Sequence, residues 1–147
     1  MTVVLALMMV AANAAEPHAV QNVVAKESAP AYQILDDRGV AQLFVNASTG
    51  AKDLALSILI LAPGASVAEH IHEQSSETLY IERGAVEMTI AGKTLRAKAG
   101  DAVYIPVGAM HSARALGTAE SVQAVQIYVG PGPEQRFTKG KLVQNEK

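Results

Sequence analysis

Two stretches of the chain, residues 64–84 and 100–111, contain three of its four histidines. In the first, His70 and His72 lie two residues apart, and Glu77 follows five residues after His72. Because successive side chains of a β-strand point to opposite faces, the two imidazoles share one face of a strand. A polar connection then leads to an apolar run that begins at Glu77, which predicts a returning strand. The spacing therefore predicts a hairpin with two imidazoles beside one carboxylate.

The third histidine, His111, belongs to the second stretch and follows Pro106 and Gly108. Proline ends a strand and glycine permits a tight turn, so this segment can return His111 toward the hairpin. Three neutral imidazoles and one carboxylate form a mixed nitrogen and oxygen ligand set. Such a set suits Fe(II), Mn(II), Ni(II), Co(II), Cu(II) or Zn(II) better than Ca(II) or Mg(II). The candidate ligands of one divalent transition metal are His70, His72, Glu77 and His111.

These positions resemble the two motifs of the cupin superfamily. The motif G-x5-H-x-H-x3,4-E-x6-G is matched by Gly64, His70, His72, Glu77 and Gly84. The motif G-x5-P-x-G-x2-H-x3-N is matched by Gly100, Pro106, Gly108 and His111, with Ala115 in place of the final asparagine. The resemblance implies an all-β fold, the cupin jelly roll or double-stranded β-helix barrel. It also implies one bound metal, of the Fe, Mn, Ni, Cu or Zn type.

The resemblance implies several chemistries. Cupin dioxygenases use a three-histidine, one-glutamate site for enediol-like or flavonol substrates. Oxalate-type enzymes use a similar site with manganese, usually in two-domain chains. We predict a metal-dependent protein that acts on a small organic substrate, with a dioxygenase-type reaction favoured over a non-catalytic module that binds or senses a metal or small ligand. Glu77 is the candidate catalytic residue, because a carboxylate can bind a metal and also accept a proton.

The first fifteen residues differ from the rest of the chain. Residues 3–12 form a continuous apolar run, and Ala12 and Ala14 provide an A-x-A cleavage site. The run is too short to span a bilayer and predicts a signal peptide over residues 1–15, although no Lys or Arg precedes it. The mature protein is then expected in the periplasm or outside the cell.

The remaining chain divides into three parts. Residues 16–40 lack clear periodicity and predict an N-terminal arm with one edge strand near residues 32–35. Residues 41–130 contain regularly spaced short strands, which predict one all-β sandwich or barrel domain, and the cupin resemblance implies that this domain is a jelly roll. A Gly-Pro-Gly-Pro segment then ends the sheet. Residues 131–147 are predicted to form a loose, charged tail, apart from Phe137, which we expect to fold back.

Charge and hydrophobicity limit the partners. The net charge of −2 argues against a nucleic-acid partner and against stable membrane association. Residues 54–62 are apolar on both strand faces, whereas a strand in a two-sheet sandwich needs only one. The second face is expected to meet either the N-terminal arm or a second subunit, and we favour a homodimer.

The predicted cavity walls indicate the kind of ligand. Five inward-facing positions of the sheet are apolar: Val86, Met88, Ile90, Val103 and Ile105. Apolar walls favour a small organic ligand over a highly charged one.

Overall fold

The computed structural model describes residues 19–143, so the predicted signal peptide lies outside the described residues. In this part of the chain there are eleven strands: β1 Ala31–Ile34, β2 Gly39–Val45, β3 Leu54–Leu61, β4 Ser66–His70, β5 Ser76–Arg83, β6 Ala85–Ile90, β7 Lys93–Lys98, β8 Ala102–Ile105, β9 His111–Ala115, β10 Val122–Val129 and β11 Lys141–Val143. Two 3₁₀-helices, η1 Ala47–Thr49 and η2 Pro133–Lys139, complete the described elements. None of the described helices is long and apolar enough to cross a bilayer.

The strands form two antiparallel sheets. The larger sheet has the order β11-β1-β2-β3-β10-β5-β8, and the smaller has the order β4-β9-β6-β7. Neighbours such as β10 and β5 are distant in sequence, so the chain passes repeatedly from one sheet to the other. Two antiparallel sheets connected in this way form a jelly roll. The predicted all-β fold is confirmed.

Alternating side chains explain how the sheets pack. In β6, Val86 and Met88 are buried, and in β10 the buried residues alternate with half-buried ones along the whole strand. Period-two alternation of this kind places every second side chain between the sheets. One core cluster forms around Leu61, Tyr128 and Phe137, and a second surrounds Ile81 and Met88.

The sheet extends beyond the predicted domain at both ends. The strand predicted near residues 32–35 is present as β1, but it is not at the edge of the sheet, because it pairs with β2 on one side and with β11 on the other. The prediction of a loose tail is wrong for residues 133–143, because η2 buries Glu134 and Phe137 and leads into β11. Phe137 does fold back, as predicted. β11 has only three residues and is held by backbone pairing, so it is too short to show a hydrophobic alternation.

Candidate metal centre

The connection between β4 and β5 corrects the predicted hairpin. His70 ends β4, which pairs with β9 in the smaller sheet, whereas Glu77 lies in β5 of the larger sheet. His72 lies in the connecting segment rather than in a strand. The chain therefore crosses from one sheet to the other between the imidazoles and the carboxylate. These side chains meet across the interior of the barrel, which a spacing argument along one hairpin does not reveal.

The turn before β9 delivers His111. Gly108 has a φ of +76°, a conformation that glycine adopts without steric cost. Its amide donates a hydrogen bond to the carbonyl of His72 at 2.9 Å. His111 then begins β9, directly opposite His70 in the pairing register. The predicted Pro-x-Gly turn is thus present, and it ties the segments that carry His72 and His111 together.

The structure brings all four predicted ligands together. One potential ligand atom from each lies within 4.8 Å of the others. Glu77 Oε2 is 3.1 Å from His72 Nε2 and 3.3 Å from His111 Nε2. His72, Glu77 and His111 are buried, and His70 is half-buried. Hereafter these four residues are called the quartet.

The hydrogen bonds of two histidines test whether the quartet fits a metal. His70 Nδ1 lies 2.8 Å from the carbonyl of Ala68, and His111 Nδ1 lies 2.8 Å from the carbonyl of Ala109. A carbonyl only accepts, so each Nδ1 carries the proton and each neutral ring presents a lone pair at Nε2. Both Nε2 atoms are buried without a hydrogen-bond partner among the described residues. Buried lone pairs are rarely left unsatisfied, and a metal ion would satisfy both.

Electrostatics hold two quartet members in their metal-binding forms. Burial lowers the pKa of His70 to about 4, and the positive charges of Arg136, His111 and His72 act in the same direction. Burial alone would raise the pKa of Glu77, but the close approach of His111 and the hydrogen bonds with His72 and Gln126 lower it to about 2. His70 is therefore neutral and Glu77 ionised at pH 7. Metal binding requires these protonation states.

The pKa of His111 is shifted upward, whereas those of His70 and Glu77 are shifted downward. Burial lowers the pKa of His111, but the Glu77 carboxylate 3.3 Å from its Nε2 and the hydrogen bond to the Ala109 carbonyl outweigh burial, and the net shift is upward. A proton on His111 Nε2 would compete with a metal ion for the same lone pair. We therefore expect metal affinity to fall as pH falls.

Two residues that the sequence analysis missed hold Glu77 in place. Gln126 Nε2 donates to Glu77 Oε1 at 2.7 Å, and Ser57 Oγ donates to Gln126 Oε1 at 3.0 Å. All three residues are buried. Such outer hydrogen bonds orient metal ligands and tune their basicity. A signal was present in the sequence: Ser57 and Gln126 are polar residues on the core-facing side of their strands, between Ala55 and Leu59 and between Ala124 and Tyr128.

Tyr128 and Arg136 approach the quartet from another side. The Tyr128 ring is fully buried and packs edge-on against His72, with ring centroids 5.2 Å apart. Burial, together with the negative charge of Glu77, raises the pKa of Tyr128. Arg136 donates a 3.3 Å hydrogen bond to the Tyr128 hydroxyl. Arg136 was missed because its segment was assigned to the loose tail.

A cavity of about 590 Å³ opens onto the quartet. Its wall includes His70, Glu77 and His111 from the quartet, Leu59, Leu79 and Met88 from the core, and Arg136, Phe137 and Lys139 from η2. Among the five predicted wall residues, only Met88 lines it. Val86, Val103 and Ile105 are buried in the core cluster, and Ile90 packs against that cluster. The strand alternation identified inward-facing residues correctly, but most of them fill the interior and do not face the cavity.

Fold and site together define a cupin, and comparison with known proteins agrees. The sequence profile of the cupin domain family matches residues 57–128. The polyketide synthase protein TcmJ of Streptomyces glaucescens is 31% identical over 104 residues, which cover 70% of each chain. Polyketide synthase CurC of Streptomyces cyaneus is 29% identical over 54% of this chain; the alignment spans only 51% of CurC. The chain belongs to the cupin superfamily.

Solved structures share the fold at low sequence identity. An RmlC-like cupin from Shewanella frigidimarina superposes with a TM-score of 0.66 at 16% identity, over 78% of this chain and 96% of the other. A predicted oxalate decarboxylase from Thermotoga maritima gives 0.63 at 23% identity, over 74% and 99%. KdgF from a Halomonas species gives 0.62 at 22% identity, over 71% and 89%. These similarities support the jelly roll and carry no conclusion about activity.

Proposed function

We propose that the protein is a small, exported, metal-dependent cupin enzyme that carries out an oxygenase-type reaction on a small organic molecule. The observation that carries this proposal is the pair of buried, unsatisfied Nε2 atoms of His70 and His111, which converge with Glu77 beside a cavity of about 590 Å³. Cavities of this size take small organic ligands. The naming of CurC and TcmJ as polyketide synthase proteins supports an organic substrate.

The four side chains of the quartet would hold one divalent ion, of the Fe, Mn, Ni, Cu or Zn type. Bound there, the ion would supply Lewis acidity and, if redox-active, electron transfer. The chain contributes the preparation of the ligands. The carbonyls of Ala68 and Ala109 fix the tautomers of His70 and His111, so that both rings present Nε2 without rearrangement.

Glu77 has two oxygens in different surroundings. Oε2 faces the imidazole nitrogens, whereas Oε1 accepts the hydrogen bond from Gln126. A carboxylate oxygen has two lone pairs, so Oε1 can accept a second proton donor beside Gln126. We propose that Oε2 binds the ion and that Oε1 accepts the proton of a substrate hydroxyl. Its pKa of about 2 keeps the carboxylate ionised before that transfer.

Dioxygen uptake tests the proposal. The protein is loaded in turn with Fe(II), Mn(II), Ni(II), Cu(II) and Zn(II), and each form is offered a panel of enediols and phenols. We expect at least one redox-active form to consume dioxygen with one substrate class, and His70→Ala to abolish that uptake. Ser48→Ala, a change in an exposed segment far along the chain from the quartet, serves as the control. Metal binding without turnover across the whole panel would contradict the enzyme and favour the binding or sensing module.

Export is a separate part of the proposal and rests on residues 1–15. We expect the mature protein to begin at Ala15 or Glu16 and to occur in the periplasm or outside the cell. Intact mass of protein recovered from its native host decides this. A chain that retains Met1 in the host would contradict export.

A further inference from the structure

Arg136 places a positive charge in the cavity wall without an acidic partner among the described residues. It is half-buried, donates to the Tyr128 hydroxyl at 3.3 Å, and lies 4.9 Å from the centroid of the Phe137 ring. The carboxylate of Glu134, two residues away in the chain, makes no ion pair with it. Both Glu134 oxygens accept hydrogen bonds from their own segment, from the Gly132 amide and the Gln135 side chain.

The charge of Arg136 reaches the metal centre. It is among the causes that lower the pKa of His70, and it acts in the same direction on His111. The other acidic groups in the wall, apart from Glu77, are Asp36, Asp37 and Glu69, and all three are exposed. Solvent screens exposed charges, whereas a half-buried guanidinium keeps more of its field inside the cavity.

Part of the cavity wall is apolar. Leu59, Leu79, Met88 and Phe137 contribute hydrocarbon surface to the same wall that Arg136 lines. A ligand that matches this wall has an apolar body and an anionic group. A guanidinium pairs best with a carboxylate, because its parallel N–H groups meet both oxygens.

We propose that the cavity recognises a small organic anion, whose carboxylate pairs with Arg136 while its apolar body lies against Met88 and Phe137. This inference rests on the proposed function, because it names the substrate class of the same site. The apolar walls alone favoured a small organic ligand over a highly charged one, and this inference adds an anionic group to that ligand. Arg136 is a specificity-determining residue in this account, and η2 is the element that brings it to the site.

Matched acids and amides test the inference. The probes are 3-phenylpropionate and benzoate, each paired with its primary amide, and binding is measured by calorimetry on the Zn(II)-loaded full chain and on the metal-free chain. We expect each acid to bind roughly tenfold or more tightly than its amide, as a charge-assisted hydrogen bond implies. Arg136→Gln should reduce acid affinity to that of the amide. The control Lys139→Gln changes an exposed cation of the same wall and should leave the preference intact.

Arg136→Lys provides the second variant, since it keeps the charge and loses the paired N–H geometry. It should weaken acid binding several-fold and leave amide binding unchanged. Equal affinities for acid and amide, no binding of either acid, or an undiminished preference in Arg136→Gln would overturn the inference. Zinc content is measured in every sample. A chain that holds Zn(II) without discriminating acids overturns this inference alone, whereas one that discriminates acids without holding Zn(II) overturns the metal centre alone.

Discussion

The two faces of strands β3 and β10 reverse the usual distribution of polar and apolar side chains. On the inner face, Ser57 and Gln126 are buried within the barrel. On the outer face, Ile58 and Val125 lie directly opposite each other in the register and are only half-buried. A strand of a sandwich ordinarily places apolar residues inside and polar ones outside. The two strands depart from this rule on both faces, and the departure on each face has its own physical reason.

The inner departure is explained by the metal centre. Ser57 and Gln126 form a series of hydrogen bonds that ends on Glu77, so the buried side chains of these three residues are hydrogen-bonded to one another. The apolar side chains on the outer face have no such explanation within the described residues. The apolar row continues through Tyr80 of β5, and Tyr104 of β8 is 61% exposed. The buried polar groups thus indicate that the Glu77 side chain is held in position. The apolar groups on the outer face favour a contact with another surface.

Glu77 is the residue on which the hydrogen bonds of Ser57 and Gln126 end, and Glu77→Gln should have the largest effect, a loss of turnover. The amide keeps the shape of the side chain but removes the charge and the proton-accepting oxygen. We expect most of the bound metal to remain, while turnover of any identified substrate falls by roughly a factor of 100 or more, as expected for loss of a general base. Metal analysis and dioxygen uptake on the same sample check this. Unchanged turnover would remove Glu77 from the mechanism.

Gln126→Leu should weaken metal binding by roughly 10- to 100-fold, a typical cost for loss of an outer hydrogen bond to a ligand. The matched control is Gln123→Leu, the same substitution on the same strand at the outer face, where Gln123 contacts the exposed residues Glu82 and Arg83. Competitive titration with Zn(II) compares the two. Equal losses in both variants would mean that the inner and outer faces do not differ in the way proposed.

Ile58→Lys tests the outer face. The homodimer predicted from the two-faced strand stays a prediction, and a lysine at the centre of the apolar row should weaken it by roughly 100-fold through the cost of burying a charge. Zinc affinity should stay unchanged, since Ile58 points away from the quartet. Sedimentation at several concentrations measures the assembly, with Thr94→Lys on exposed β7 as the control. A wild-type chain that stays monomeric at all concentrations would contradict the dimer.

The smallest expected effect is that of His70→Ala on the pH dependence of stability, measured in the metal-free protein. The pKa of His70 is lowered from 6.5 to about 4, so the unfolded chain takes up a proton in this range and the folded chain does not. The stability of the wild type therefore falls as pH falls from 6.5 to about 4. The variant should lose less stability over that range, as measured by urea unfolding. Parallel pH profiles would contradict the assigned pKa. Glu77 acts in the same direction at lower pH, between 4.5 and about 2.

The sequence predicted the fold and the members of the quartet because strand alternation and the two cupin-like motifs are both visible in short stretches of sequence, although the predicted hairpin was wrong. Alternation identified most strands, and the turn chemistry of Gly108 placed His111 correctly. The supporting residues could not be found in this way. Gln126 and Ser57 are 69 residues apart and meet only through the pairing of β10 with β3. Arg136 lies in η2, whose Phe137 packs in the core and which leads into β11, and β11 is held against β1 by backbone pairing.

The central claim is that the quartet binds one divalent transition ion. Titration of the metal-free protein with Co(II), followed by its visible absorption, tests this directly, because the spectrum reports nitrogen and oxygen ligation as well as stoichiometry. We expect one equivalent to bind with a defined end point, and His111→Ala to lose it while Gln123→Leu retains it. Binding that is weak, of variable stoichiometry, or unchanged in His111→Ala would contradict the claim.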